Sequence, residues 1–92
     1  MNRYQENIIK ITGCSLSEAQ EVMNIMSEIL FRYTSLEYLT QDAFDQGALD
    51  AWEFYKTNKL LNNISLKMFG KKFRRLTESE TISVEKEYNF VS

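Results

Sequence analysis

Lys56 to Leu76 reads KTNKLLNNISLKMFGKKFRRL, with seven basic residues and no acidic one. The segment before it, Met1 to Tyr55, carries three basic residues against nine acidic ones, a net of −6, and the tail from Thr77 to Ser92 is −3. The near-neutral total of −2 therefore hides a strongly polarised chain. Such polarity speaks about partners more than about fold. On a wheel of 100° per residue, Leu66, Phe69, Phe73 and Leu76 share an arc of roughly 80°, and Lys67, Lys71, Arg74 and Arg75 an opposing arc of roughly 100°. Lys72 flanks the apolar stripe. The pattern predicts an amphipathic helix that buries its aromatic stripe and presents cations outward, an arrangement suited to phosphates.

Asn58 to Asn63 reads as a break before this helix, and Ser65 as its N-cap. Upstream, Tyr4, Ile8 and Ile11 lie at helical spacing, with Gly13 as a stop. Ser15 with Glu18, and Ser17 with Gln20, both have capping-box spacing. The apolar stripe Leu16, Ala19, Val22, Met23, Met26, Ile29, Leu30 and Tyr33 then predicts a second helix over about 16–33. Thr34 to Thr40 reads as a connector, and Thr40 as the N-cap of a third helix with Asp42 in its first turn. Phe44, Ala48, Ala51, Trp52 and Tyr55 share one face of that helix. Gly47 either weakens it or permits close helix approach.

The tail changes period. Ile82, Val84, Tyr88 and Phe90 alternate with Ser83, Glu85, Glu87 and Asn89, which predicts one long strand or a hairpin turning near Lys86. The expected fold is mainly α, with about four helices and a C-terminal β-strand or hairpin. Its 92 residues are expected to form a single domain: an acidic helical segment over 1–55, a basic helix over 56–76 and a β tail over 81–91. An edge strand needs a partner, so a homodimer through the tail is one expectation.

Composition excludes several chemistries. The chain has no histidine, which is the commonest general base and metal ligand, and its one cysteine, Cys14, makes neither a zinc site nor an internal disulfide. Its three glycines are isolated, so no phosphate-cradling loop is present. The i,i+3 carboxylate pairs Asp42–Asp45 and Asp50–Glu53 have a spacing compatible with Mg²⁺ but are read as solvated helix face. No enzyme, metal or cofactor is expected. No apolar run is long enough for a membrane span and no signal-peptide core is visible, so a cytoplasmic protein without a membrane partner is expected.

The functional reading has two branches. In the first, Lys67, Lys71, Lys72, Arg74 and Arg75 bind nucleic acid. In the second, Glu37, Asp42, Asp45, Asp50 and Glu53 form an anionic face that meets a basic protein partner, as a row of carboxylates can imitate a phosphate backbone.

Two resemblances bear on this. The segment Ala51-Trp52-Glu53-Phe54-Tyr55, followed by Ile64-Ser65-Leu66-Lys67-Met68-Phe69-Gly70-Lys71-Lys72-Phe73-Arg74-Arg75-Leu76, resembles the C-terminal winged-helix segment of phage and plasmid primase–helicases over residues ~49–91. The resemblance implies a helix-turn-helix-like unit whose cations face nucleic acid, without the ATPase or primase body. The tail departs from it, being acidic and free of glycine. Leu30 to Thr40 with Phe44-Asp45-Gln46-Gly47-Ala48 is similar to a stretch of small uncharacterised phage-encoded proteins. That implies a phage or mobile-element origin. Under the second branch it implies an inhibitor of a host complex, for example an anti-CRISPR-like antagonist of a bacterial defence system.

Overall fold

The computed structural model describes residues 2–91 and is all-helical, with no β-strand among the described residues. Among these residues four α-helices follow one another: α1 (Arg3–Thr12), α2 (Leu16–Ile25), α3 (Gln41–Phe69) and α4 (Glu78–Val91). A π-wound turn, Met26–Leu30, continues α2, and short 3₁₀ turns lie at Leu36–Tyr38 and Phe73–Arg75. The chain gathers into two compact units, one ending at Tyr55 and the other beginning at Lys56. That boundary is also where the acidic sequence gives way to the basic one.

In the first unit, local chemistry sets the helix ends. Asn2 and Gln5 form a reciprocal capping box on α1, and Ser15 and Glu18 form one on α2. Each box satisfies two of the amide donors that a helix start leaves without partners. Gly13 closes α1, its N–H donating to the Ile9 carbonyl at 2.8 Å. Thr40 Oγ1 accepts from Ala43 N at 3.1 Å and starts α3 as expected. The core contains Ile8, Cys14, Ala19, Val22, Met26, Phe44, Ala48 and Ala51, and the Tyr4 and Phe44 rings stack at 5.7 Å between centroids. Burial of each large aliphatic side chain contributes ~1.5–3 kcal/mol.

Gly47 belongs to the close-approach reading. A Cβ there would lie 2.5 and 2.7 Å from the Phe31 ring, so only hydrogen fits. The second helix departs from expectation after Ile25. Phe31 N–H reaches back five residues to the Met26 carbonyl at 2.8 Å, so this turn is wider than an α-turn. Met26 is buried as expected, but Ile29, Leu30 and Tyr33 are exposed rather than core.

The second unit corrects three expectations. The first is the break at Asn58–Asn63, which does not occur, because α3 runs unbroken to Phe69. Asparagine is only a modest helix destabiliser, and Asn62 finds a use inside the helix. Ser65 is likewise no N-cap: it is fully buried within α3, and its hydroxyl donates to the Lys71 carbonyl. The second correction concerns the basic helix 56–76, which stops at Gly70. There φ is +68°, a left-handed conformation that ends α-helices and that glycine adopts without a Cβ penalty. Lys71 to Leu76 leaves the α-helix, and Leu66, expected to anchor the stripe, is half exposed.

The third correction is the β tail 81–91, which is helix α4, so neither a strand, a hairpin nor a winged-helix wing is formed. Thr77 Oγ1 accepts from Glu80 N at 3.3 Å and Glu80 Oε1 accepts from Thr77 N at 2.9 Å, a capping box that starts the helix. Thr81, Val84 and Tyr88, at helical spacing, are among its least exposed positions, while Ile82 and Phe90 of the supposed alternating face lie out in solvent. A helix satisfies its backbone internally, whereas a lone strand would leave a row of unpaired amides and carbonyls. The route to a homodimer through an exposed strand edge disappears with the strand.

Candidate nucleic-acid interface

The cations lie on the last turn of α3 and on the connection from Gly70 to Thr77. That connection is fastened to α3 by one side chain that the sequence places in a break and one that it places at a helix start. Asn62 Oδ1 accepts from Phe73 N at 2.9 Å, eleven residues on, and Ser65 binds the Lys71 carbonyl. Within the turn, Arg75 N donates to Lys72 O at 2.9 Å and Leu76 N to Phe73 O at 3.2 Å. The turn is thus held at both its entrance and its centre, which limits the ordering entropy that a ligand would otherwise have to overcome.

The five basic residues divide by environment. Lys71 Nζ pairs with Glu80 Oε1 at 3.1 Å. Glu80, accepting from the Thr77 backbone N–H and from Lys71, has its pKa lowered from the ordinary carboxylate value. Lys67, Lys72, Arg74 and Arg75 are exposed and make no ion pair among the described residues. Lys72 and Arg74 come together on a cleft that Asn58, Asn62 and Phe73 also line. Lys67 and Arg75 lie outside that lining. Sequence reasoning missed the two asparagines. Their i,i+4 spacing places them on one helix face, and that was the available signal.

The acidic residues are distributed differently. Asp42, Asp45, Asp50 and Glu53 all lie on α3 in the first unit, while Glu37 belongs to the 3₁₀ turn before it. Asp45 Oδ1 accepts from Gln41 Nε2 at 2.7 Å and from Asn7 Nδ2 at 3.3 Å. Asp50 Oδ1 accepts from Gln46 Nε2 at 3.0 Å. These are neutral amide donors, so both carboxylates keep their net charge. Glu37 lines a separate cleft of about 450 Å³ with Arg3, Glu6, Lys10 and Phe44, where charges of both signs oppose one another. There the Tyr4 hydroxyl, 3.3 Å from the Arg3 guanidinium, pushes the Arg3 pKa further up.

Among the described residues, no helix is long and apolar enough to cross a membrane. Comparison of the chain with protein-family models, with curated proteins and with solved structures finds no match.

Proposed function

We propose that this is a small non-enzymatic protein of a phage or mobile element that binds nucleic acid in the host cytoplasm through the basic turn between α3 and α4. The observation that carries the reading is that Lys67, on the last turn of α3, and Lys72, Arg74 and Arg75, on a connection fixed by Asn62 and Ser65, make no ion pair among the described residues. Four cations without carboxylate partners on a short, ordered segment leave charge for an external polyanion to neutralise. Each phosphate they neutralise releases condensed counterion, so affinity falls steeply with salt. Contact by all four gives a slope of log affinity against log salt of about −3 on a single strand and about −3.6 on a duplex.

Fluorescence anisotropy with a labelled oligonucleotide across a KCl series tests this. Charge reversal at Lys72 and Arg74 abolishes binding, while circular dichroism stays unchanged. Unaltered affinity in that variant refutes the proposal.

One observation favours a second reading. Asp45 and Asp50 are held by neutral amides rather than by cations, which leaves these two carboxylates of α3 for a basic protein surface, such as that of a host defence complex. A pull-down from host lysate with and without nuclease separates the two. Nuclease-resistant recovery of one stoichiometric partner, lost on substituting Asp45 and Asp50 by Asn, supports the second reading.

A further inference from the structure

We infer that the nucleic acid recognised is single-stranded, with one unpaired base received in the Asn58–Asn62–Phe73 cleft and the flanking phosphates taken by Lys72 and Arg74. The inference rests on the nucleic-acid reading above and specifies its ligand. The cleft, of about 290 Å³, lies at the small end of ordinary ligand sites, a size for a single ring system rather than an extended ligand. Its lining combines the three elements that a nucleotide needs. Phe73 supplies an aromatic face that is only part buried. Its backbone is anchored by the 2.9 Å bond from its own N–H to Asn62 Oδ1, so the residue already stands at the cleft. That bond uses the amide oxygen of Asn62 and leaves its Nδ2 donors for the carbonyl or ring-nitrogen acceptors of a base edge. Lys72 and Arg74 stand one residue to either side of Phe73, so the cations bracket the ring along the chain.

A duplex fits this arrangement poorly. Its base faces are stacked on one another and cannot meet Phe73, and its major groove is read by a helix or a two-stranded ribbon. Here the α-helix stops at Phe69, and the cleft cations lie on an eight-residue connection, Gly70–Thr77. An unpaired base offers its face to any aromatic ring, which gives a sequence-tolerant contact alongside the electrostatic one.

The test uses the full chain and three labelled probes of about 10 units, a length within the usual single-strand site range: oligodeoxyuridylate, oligouridylate and a DNA duplex. Anisotropy is followed at several KCl concentrations. Both single strands are expected to bind about 10-fold or more tightly than the duplex, and the two single-strand arms show whether the sugar matters. Phe73→Leu is expected to lose about that factor on single strands, with the salt slope and the circular dichroism unchanged. Phe73→Trp, which keeps an aromatic face, is expected to retain it. Lys72→Gln with Arg74→Gln is expected to reduce the salt slope by about 1.4. Equal or tighter duplex binding overturns the inference while leaving the proposed function standing. So does a folded Phe73→Leu protein, or a Phe73→Trp protein, whose single-strand affinity contradicts these expectations. Failure of the native protein to bind any of the three probes overturns both.

Discussion

The two units of this chain solve the problem of holding shape by different means. The unit ending at Tyr55 has eight buried residues in one cluster, reciprocal caps at the starts of α1 and α2, and a glycine that lets Phe31 lie against α3. Among the described residues, the unit beginning at Lys56 has three buried ones, Ile64, Ser65 and Val84, and one of those is polar. Its connecting turn is positioned by directional bonds from Asn62 and Ser65 rather than by volume. Apolar packing is the larger and less specific source of stability, whereas hydrogen bonds contribute less but fix geometry. The acidic unit thus supplies the stable body, and the basic unit the placed, more weakly held cations. Elements with few apolar contacts are also those that open most readily.

The severest challenge to this contrast is Met26→Ala. Met26 is fully buried, and its truncation is expected to cost ~2–5 kcal/mol in a urea titration. A cost below ~1 kcal/mol would mean that the first unit is not a packed core. The next effect is smaller and depends on a neighbour. Gly47→Ala gains ~1 kcal/mol of helix propensity but drives a methyl into the Phe31 ring, at a packing cost of ~1–3 kcal/mol. The expected net is a loss of ~1 kcal/mol that changes to a gain in the Phe31→Ala background. A double-mutant cycle reads this directly.

Two further outcomes concern the second unit. Asn62→Ala strands the Phe73 N–H and is expected to cost ~1–2 kcal/mol. It should also raise hydrogen exchange within Gly70–Thr77 and weaken nucleic-acid binding, without changing protection in α1 or α2. Exchange that rises equally in both units would erase the distinction drawn between them. The smallest effect is on pH. The Glu80 pKa is lowered in the folded chain by the Thr77 backbone N–H first and by Lys71 next. Its contribution to stability is therefore present above the ordinary carboxylate pKa and disappears as pH falls through the lowered value. Glu80→Gln should flatten that acid limb of the stability curve, measured by thermal melts over the acidic range, and leave the neutral and alkaline limbs parallel to the native protein.

What the sequence made legible was local. The Ser15 box, the Gly13 stop, the Thr40 cap and the buried face of Phe44, Ala48 and Ala51 each follow from residues within a few positions of one another. The charge boundary at Tyr55–Lys56 was also legible, because charge is simply counted. What escaped was long-range or competitive. Asn62 looked like part of a break and Ser65 like an N-cap because their partners, Phe73 N and Lys71 O, lie eleven and six residues away and cannot be seen in a local window. In the tail, a period of two competed with Thr77–Glu80 capping and with the spacing of Thr81, Val84 and Tyr88. The helix prevailed because no other strand was present among the described residues to complete a ladder. The cations were found, but their setting was not. Gly70 turned half of an expected helical stripe into an anchored connection, and with it the asparagine-lined cleft came into being.

The π-wound turn at Met26–Leu30 amounts to a one-residue excess in an otherwise α-helical register. Each residue advances an α-helix by about 100°. The wider turn takes up that excess within one circuit, so excising one residue there would let the segment rewind as ordinary helix with the Phe31 ring still over the notch at Gly47. What seats that ring is then the bare Cα of Gly47, and the loop of surplus chain beside it is a spare link that the fit tolerates without requiring.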